Sequence, residues 1–264
     1  MSTSDSSGTP ARSPHPKFIA GIYNYCDRWC ERCRFQSRCR LYRDMRRIER
    51  VTDGLLDKAD LEALQSDEEF EIEDECTVSP RERAEFLQFV SEANVGPSAD
   101  EAARMDAAFE RRSREQNAHP LTRESKEYAD TARRLIGVLD PLLRDGGDPL
   151  ALESLETINR FALFIAVKTH RAVIGLLPPC EELGDDDEFR TSDANGCAKL
   201  VRLVVAESRE AWRLLAQLPS VAADGVPSAM IARLDDLDAH LADAFPRAMA
   251  FVRAGFDEME GGTA

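Results

Sequence analysis

Long apolar runs are missing from this chain of 264 residues: charge interrupts every hydrophobic stretch, and none approaches the roughly 20 residues a membrane span needs. Residues 1–16 are rich in Ser, Pro and Gly and contain no apolar core of a secretory signal, so the reading places a disordered tail there and the protein in the cytoplasm. Strand signals are nearly absent, which turns the expected fold to all-α. No Walker loop, dinucleotide fingerprint or Gly-x-Ser-x-Gly elbow is present, so the common nucleotide and hydrolase chemistries lose their sequence basis. No internal repeat is visible. Lysine is scarce, 5 residues against 29 arginines, and so uneven a ratio reads as a compositional bias before it reads as a phosphate-binding footprint.

Against those absences stand seven cysteines, which in a reducing compartment are thiols and metal ligands, not a disulfide framework. Four of them, Cys26, Cys30, Cys33 and Cys39, share one short run, Tyr-Cys-Asp-Arg-Trp-Cys-Glu-Arg-Cys-Arg-Phe-Gln-Ser-Arg-Cys. Four soft donors so close together supply a complete Cys₄ set for zinc or for a [4Fe-4S] cluster. The longer spacer that separates two zinc knuckles is missing, and single cysteines recurring every few residues are more typical of iron-sulfur binding. A complete set leaves no open position, which argues against a catalytic zinc. The alternative is that these cysteines are small apolar residues on an amphipathic helix. Arg28, Arg32, Arg34 and Arg38 surround them, positioned to offset the excess negative charge of a four-thiolate site.

Charge is distributed unevenly. The whole chain carries a formal -15, which opposes general attraction to nucleic acid or to an anionic membrane. Residues 17–50 nevertheless hold ten Lys or Arg against four Asp or Glu, a net of +6, and residues 51–75 hold eleven acids and one Lys. The basic block coincides with the cysteines.

The spacing of Ile19, Ile22, Tyr23, Cys26, Cys30 and Cys33 follows three- and four-residue steps and predicts a single helix from residue 17 that carries the first three thiols. A turn over 34–38 and a second helix over 39–51 would return Cys39 to them. The expected organisation is a tail over 1–16, a Cys₄ metal-binding helical hairpin over 17–50, and an acidic connector with short helices over 51–120. A four-helix bundle over 121–256 and a tail over 257–264 complete it. Within the connector, Ser79-Pro80 marks one helix start, and Ser98 with Glu101 marks another as a capping box. In the bundle, helices are expected over 122–143, 150–177, 192–218 (capped by Ser192 or Asp193) and from Pro227 onward, packed antiparallel. Leu135, Val138, Leu139 and Leu142 are the expected inward residues of the first.

Other candidates are weaker. Glu156, Asn159 and His170 lie near one face of the long helix, and Glu207 and Glu210 on the next, which suggests a second metal site of the bundle-oxidase kind. The paired Glu-x-x-His motifs of such sites are lacking. His240 has acidic neighbours on a helix expected to face solvent; His15 and His119 sit beside prolines; Cys76, Cys180 and Cys197 are isolated. The run Ser192-Asp193-Ala194-Asn195-Gly196-Cys197-Ala198-Lys199 reads as a helix start with small residues for close helix approach, or as an anion-binding N-terminus.

Three resemblances arise from these residues. Cys30-x₂-Cys33-x₅-Cys39 resembles the element that completes [4Fe-4S] sites in auxiliary domains of radical SAM enzymes and in RecB-like exonucleases; it covers residues 30–39 alone and implies a cluster without nuclease activity. Cys26-x₃-Cys30-x₂-Cys33 matches the radical SAM ligand spacing, but that motif belongs on a loop after a barrel strand and needs one open iron, so the reading rejects it. The cysteine run, the Ser-Asp-Ala-Asn-Gly-x-Ala-Lys run and the C-terminal Phe245-Pro246-Arg247-Ala248-Met249-Ala250-Phe251-Val252-Arg253-Ala254-Gly255-Phe256-Asp257 together resemble a bacterial family of helical proteins with no assigned activity. The expectation is a metal-binding helical protein with a structural, redox-sensing or electron-transfer role. An interaction module for nucleic acid or protein, using the Arg-rich hairpin with Tyr23, Tyr25, Trp29 and Phe35, is the alternative. The bundle oxidase, with Glu156, His170 and Glu207, is the third. Expected partners are a metal ion or cluster and a protein, with no membrane.

Overall fold

The computed structural model describes residues 18–54, 98–222 and 224–257. Among the described residues there are seven α-helices and no strand: α1 (Arg40–Thr52), α2 (Ala99–Ala118), α3 (Pro120–Gly146), α4 (Pro149–Val173), α5 (Asp187–Leu215), the short α6 (Pro219–Ala222) and α7 (Val226–Ala244). Two compact units emerge, one containing residues 18–54 with 254–257 and the other residues 98–222 with 224–253. The helix expected after Ser79-Pro80, the acidic stretch beyond residue 54, and Cys76 lie outside the described residues.

In the helical unit, α3, α4, α5 and α7 form a closed four-helix ring, each packed on its neighbours in the order α3, α4, α5, α7 and back to α3. Cross-links show that neighbours run antiparallel. Arg202 and Arg209 of α5 reach Asp238 and Asp235 of α7, each at 2.7 Å, so residue numbers fall on one helix as they rise on the other. Between α3 and α7, Glu124 meets His240 and Glu127 meets Arg233 in the same reversed order. Neighbouring segments of this kind are the low-cost solution when links are short. The tightest link joins α3 to α4: Gly147 takes the left-handed conformation that closes α3, Asp148 accepts hydrogen bonds from the N–H groups of Leu150 and Ala151, and Pro149 opens α4.

The bundle interior is mainly apolar, with Ile158, Phe161, Ile165, Leu200, Val205, Trp212, Leu215, Leu234, Leu237 and Leu241 almost inaccessible to solvent and Ser125, Thr169 and Ser208 buried among them. On α3 the inward stripe is Tyr128, Ala132, Leu139 and Leu143, while Val138 and Leu142 are exposed. The expectation for that helix was therefore rotated by one position at its C-terminal end. Adjacent leucines at 142 and 143 cannot both face inward, and the stripe continues from Tyr128 and Ala132 by steps of seven and four residues to Leu139 and Leu143.

The helix α5 begins earlier than its sequence suggested. Asp186, not Ser192 or Asp193, is the cap, accepting from the Phe189 N–H at 2.8 Å. The run 192–199 therefore sits inside the helix, its backbone donors spent on the helical ladder, and offers no N-terminus to an anion. Its residues pack instead. Asp193 holds Arg171 of α4 in a two-pronged ion pair, both contacts at 2.8 Å. Lys199 is buried and its ammonium donates to the Phe251 carbonyl at 2.6 Å, fixing the chain beyond the single 3₁₀ turn Ala248–Ala250.

Close approach centres on Ala194. A Cβ added to Gly175, in the 3₁₀ turn Ile174–Leu176 that follows α4, would overlap the Ala194 Cβ and come within 3.3 Å of the Arg190 carbonyl oxygen. Gly175→Ala is expected to destabilise the fold by about 1–3 kcal/mol, the usual cost of overpacking. A denaturant midpoint unchanged from wild type would show that α5 can move away at no cost.

Ahead of the bundle, α2 opens with the expected capping box: Ser98 accepts from the Glu101 N–H, and the Glu101 carboxylate accepts from the Ser98 N–H at 2.9 Å. The helix is polar but anchored. Arg112 is buried and binds Asp185 at 2.6 Å, and Asp185 also accepts from the Cys180 N–H. Arg190 closes the same loop by donating to the carbonyls of Ile174 and Leu177. A single residue, His119, joins α2 to α3, its Nδ1 accepting from the Leu121 N–H, with burial lowering its basicity.

Candidate functional site

The cysteine run does not form the helix that its spacing predicts. Residues 20–25 are turns and Cys26 a bend, Cys30–Arg32 and Gln36–Arg38 are single 3₁₀ turns, and regular helix begins at Arg40 with Cys39 as its N-cap residue. Two features break the helix. Asp27 accepts a hydrogen bond from the Trp29 N–H through its side chain at 2.9 Å, a local turn that competes with helical bonding. Arg28 has φ of 61°, the left-handed region that an L residue enters at a cost. Among the described residues it is the one non-glycine with positive φ, and it lies between the first two cysteines.

The irregular segment is nevertheless closely tied. The Ile19 N–H donates to the Arg38 carbonyl at 3.0 Å, which joins the start of the segment to its end. Gln36 crosses the middle, its amide donating to the carbonyls of Cys30 at 2.6 Å and Glu31 at 3.3 Å. These bonds bring distant parts of the loop together without a helix. The result is one pocket lined by Cys26, Cys30, Cys33 and Cys39, with Ile22, Trp29, Tyr42 and Phe256 among its other walls. All four cysteines are free thiols of intermediate exposure.

The sulfurs feel one another. Burial pushes the Cys26 thiol up, with a smaller upward push from Cys39, while the Arg28 backbone N–H and guanidinium pull it back. Burial likewise raises Cys30, followed by repulsion from Cys26 and Cys39. Cys33 accepts a hydrogen bond from the Phe35 N–H at 3.4 Å, an amide aimed at sulfur two residues earlier. Among the described residues, however, no group of three or more His, Cys, Asp or Glu side chains is arranged to hold a metal ion. The cysteines share a pocket, and they do so on a loop of turns in place of the expected first helix.

The basic residues decorate this loop. Arg28, Arg32, Arg34 and Arg38 are exposed. The Arg32 guanidinium lies 3.9 Å from the Trp29 ring centre and that of Arg34 4.6 Å from the Phe35 ring centre. Trp29 is itself buried, and the Phe35 ring also meets Phe256. Two of the aromatic rings expected on the interaction surface, Trp29 and Phe35, are thus already engaged within the loop. The helix α1 buries none of its residues, and its Met45 and Ile48 are exposed.

Candidates in the bundle do not converge. Glu156, Asn159, Glu207 and Glu210 are exposed and His170 is half-buried, whereas the side chains buried on these two helices are mostly apolar. His240 is a surface group paired with Glu124 at 2.9 Å, its basicity raised chiefly by that hydrogen bond. Cys180 is buried and its thiol donates to Glu182. Cys197 is buried beside Asp193, and its pKa is pushed up to about 11, mainly by burial. A thiol so placed is inert, as buried structural cysteines are.

Phe256 is the site residue that sequence reading assigned elsewhere, to the end of the bundle. Its ring packs edge-on against Phe35, centres 5.1 Å apart and planes at 80°. No local signal links it to the cysteines, although the quoted C-terminal run contains it.

The fold and site together define an all-α protein with a helical bundle and a separate four-cysteine pocket. No family model, curated protein or solved structure matches the chain.

Proposed function

We propose that the protein binds a [4Fe-4S] cluster through Cys26, Cys30, Cys33 and Cys39, and that the cluster's first task is to hold the N-terminal unit together. The observation that carries this reading is the common pocket: four cysteines from an irregular loop line one concavity. The donor chemistry fits, since the Phe35 N–H is already directed at the Cys33 sulfur and cationic side chains surround the loop. The compact spacing of the four cysteines, without the longer spacer of paired zinc knuckles, favours a cubane over a single zinc. A bound cluster supplies one-electron chemistry, which is what redox sensing or electron transfer at the same site would use.

The structural role is supported by how little else the described residues of this unit bury. Among the described residues of this unit, Ile22 and Trp29 are the buried apolar side chains. Small units with so little core usually depend on a metal or disulfides. The four thiols that line one pocket are the donors such a metal would use.

Anaerobic purification followed by metal analysis and a visible absorption spectrum tests the proposal. A brown protein with about four irons per chain is the expected result. A colourless protein with about one zinc replaces the cluster by a structural zinc site and removes the redox uses. A metal-free protein with an ordered N-terminal unit sinks both.

A further inference from the structure

We infer that the metal site is built from two ends of the chain, with Gly255 and Phe256 forming a wall that controls how readily a bound metal is lost. The inference rests on the metal reading above and adds a residue pair to it. Phe256 lines the same pocket as the four cysteines, and it is half-buried, with one side toward the pocket and part of its surface toward solvent. It packs on Phe35, whose own N–H donates to the Cys33 sulfur, so the wall bears directly on the residue that orients one ligand.

Gly255 explains how the wall can come so close. Its φ is +75°, and a Cβ built there would lie 3.0 Å from the Cδ1 atoms of both Ile19 and Ile22 and 3.3 Å from Cγ2 of Ile19. Ile22 is buried and is itself part of the pocket lining. Only a residue without a side chain both takes this backbone conformation and lets the segment lie against the two isoleucines. The chain then brings Phe256 to the wall of the cysteine pocket. An apolar ring at this position displaces water and restricts a chelator's approach to metal and sulfur, which is the usual action of a hydrophobic shell around a metal site.

The test compares wild type with Phe256→Ala, Phe256→Leu, Gly255→Val and a chain ending at Arg253. All are purified anaerobically and challenged with excess chelator, bathophenanthroline for iron or EDTA for zinc. Phe256→Ala, Gly255→Val and the shortened chain are expected to release metal about tenfold faster or more, and Phe256→Leu to stay near wild type. Release at the wild-type rate from Phe256→Ala and the shortened chain would overturn the inference while leaving the metal reading intact. The metal-free forms give a second readout, alkylation of the four thiols by iodoacetamide followed by mass spectrometry. Faster labelling in Phe256→Ala supports the wall even where wild type proves unable to hold metal, and equal labelling overturns it.

Discussion

With Cys30 and Cys33 both changed to serine, the protein is expected to retain no metal after anaerobic purification, and its N-terminal unit is expected to become protease-sensitive while the bundle stays helical. Two of the four donors then become hydroxyls, which are poor ligands for soft metals, and the remaining thiols, Cys26 and Cys39, cannot complete a shell. Metal binding in small structural sites is worth about 10–16 kcal/mol at neutral pH. Among the described residues of this unit the other contributions are smaller singly: burial of an apolar side chain such as Ile22 or Trp29 is worth roughly 1.5–3 kcal/mol, and each of the loop's hydrogen bonds roughly 1 kcal/mol. The bundle has its own core, so its circular dichroism and thermal transition should change little. Wild-type metal content in the double variant would remove these cysteines from the site. Wild-type resistance to proteolysis, with the metal gone, would separate metal binding from folding and return the role to redox chemistry. The same competition between metal and proton governs pH dependence. Thiols must lose their protons to bind, so metal occupancy is expected to fall as pH falls, measurable by chelator titration across the acidic range.

Trp212→Ala is expected to have the largest effect in the bundle, a loss of about 3–5 kcal/mol. The side chain is completely buried on α5, and its indole N–H donates to the Tyr128 hydroxyl of α3 at 3.3 Å. Two costs add. Removing the ring opens a cavity bounded by helices that cannot collapse into it, and the Tyr128 hydroxyl loses a donor in a place where burial already pushes its pKa up to about 12. The packing cost is the larger. Tyr128→Phe, which removes the hydroxyl and retains the ring, should cost only about 1–3 kcal/mol, the price of an indole N–H left without its partner. Against a total stability of about 5–15 kcal/mol for a typical domain, the alanine variant should shift a urea midpoint strongly and the phenylalanine variant modestly. Equal losses in the two would mean that the hydrogen bond, not the ring, dominates.

Much of the bundle was legible because amphipathic helices write their packing locally. Leu200, Val201, Val204, Val205, Ala211, Trp212 and Leu215 recur at helical spacing and all are buried. Asp148-Pro149 and the Ser98–Glu101 box mark helix starts through short-range chemistry that needs no distant partner. Where side chains compete as caps, local rules lose their force: Asp186 starts α5 in place of Ser192 or Asp193, because Asp193 is committed to Arg171 across the helix pair.

The cysteine loop shows the limit more plainly. Spacings of four and three residues suit both a helix face and a set of metal ligands, so sequence determined that Cys26, Cys30, Cys33 and Cys39 could gather, and could not determine the backbone that gathers them. Tertiary structure decided that point through contacts that periodicity does not encode. The Asp27 turn and left-handed Arg28 interrupt the helix, the Ile19–Arg38 and Gln36–Cys30 bonds fold the loop on itself, and Gly255 with Phe256 arrives from the far end of the chain to close one wall. Helical hydrogen bonds join residues four apart and leave their trace in sequence, whereas the bonds that shape this pocket join residues whose separation follows no period.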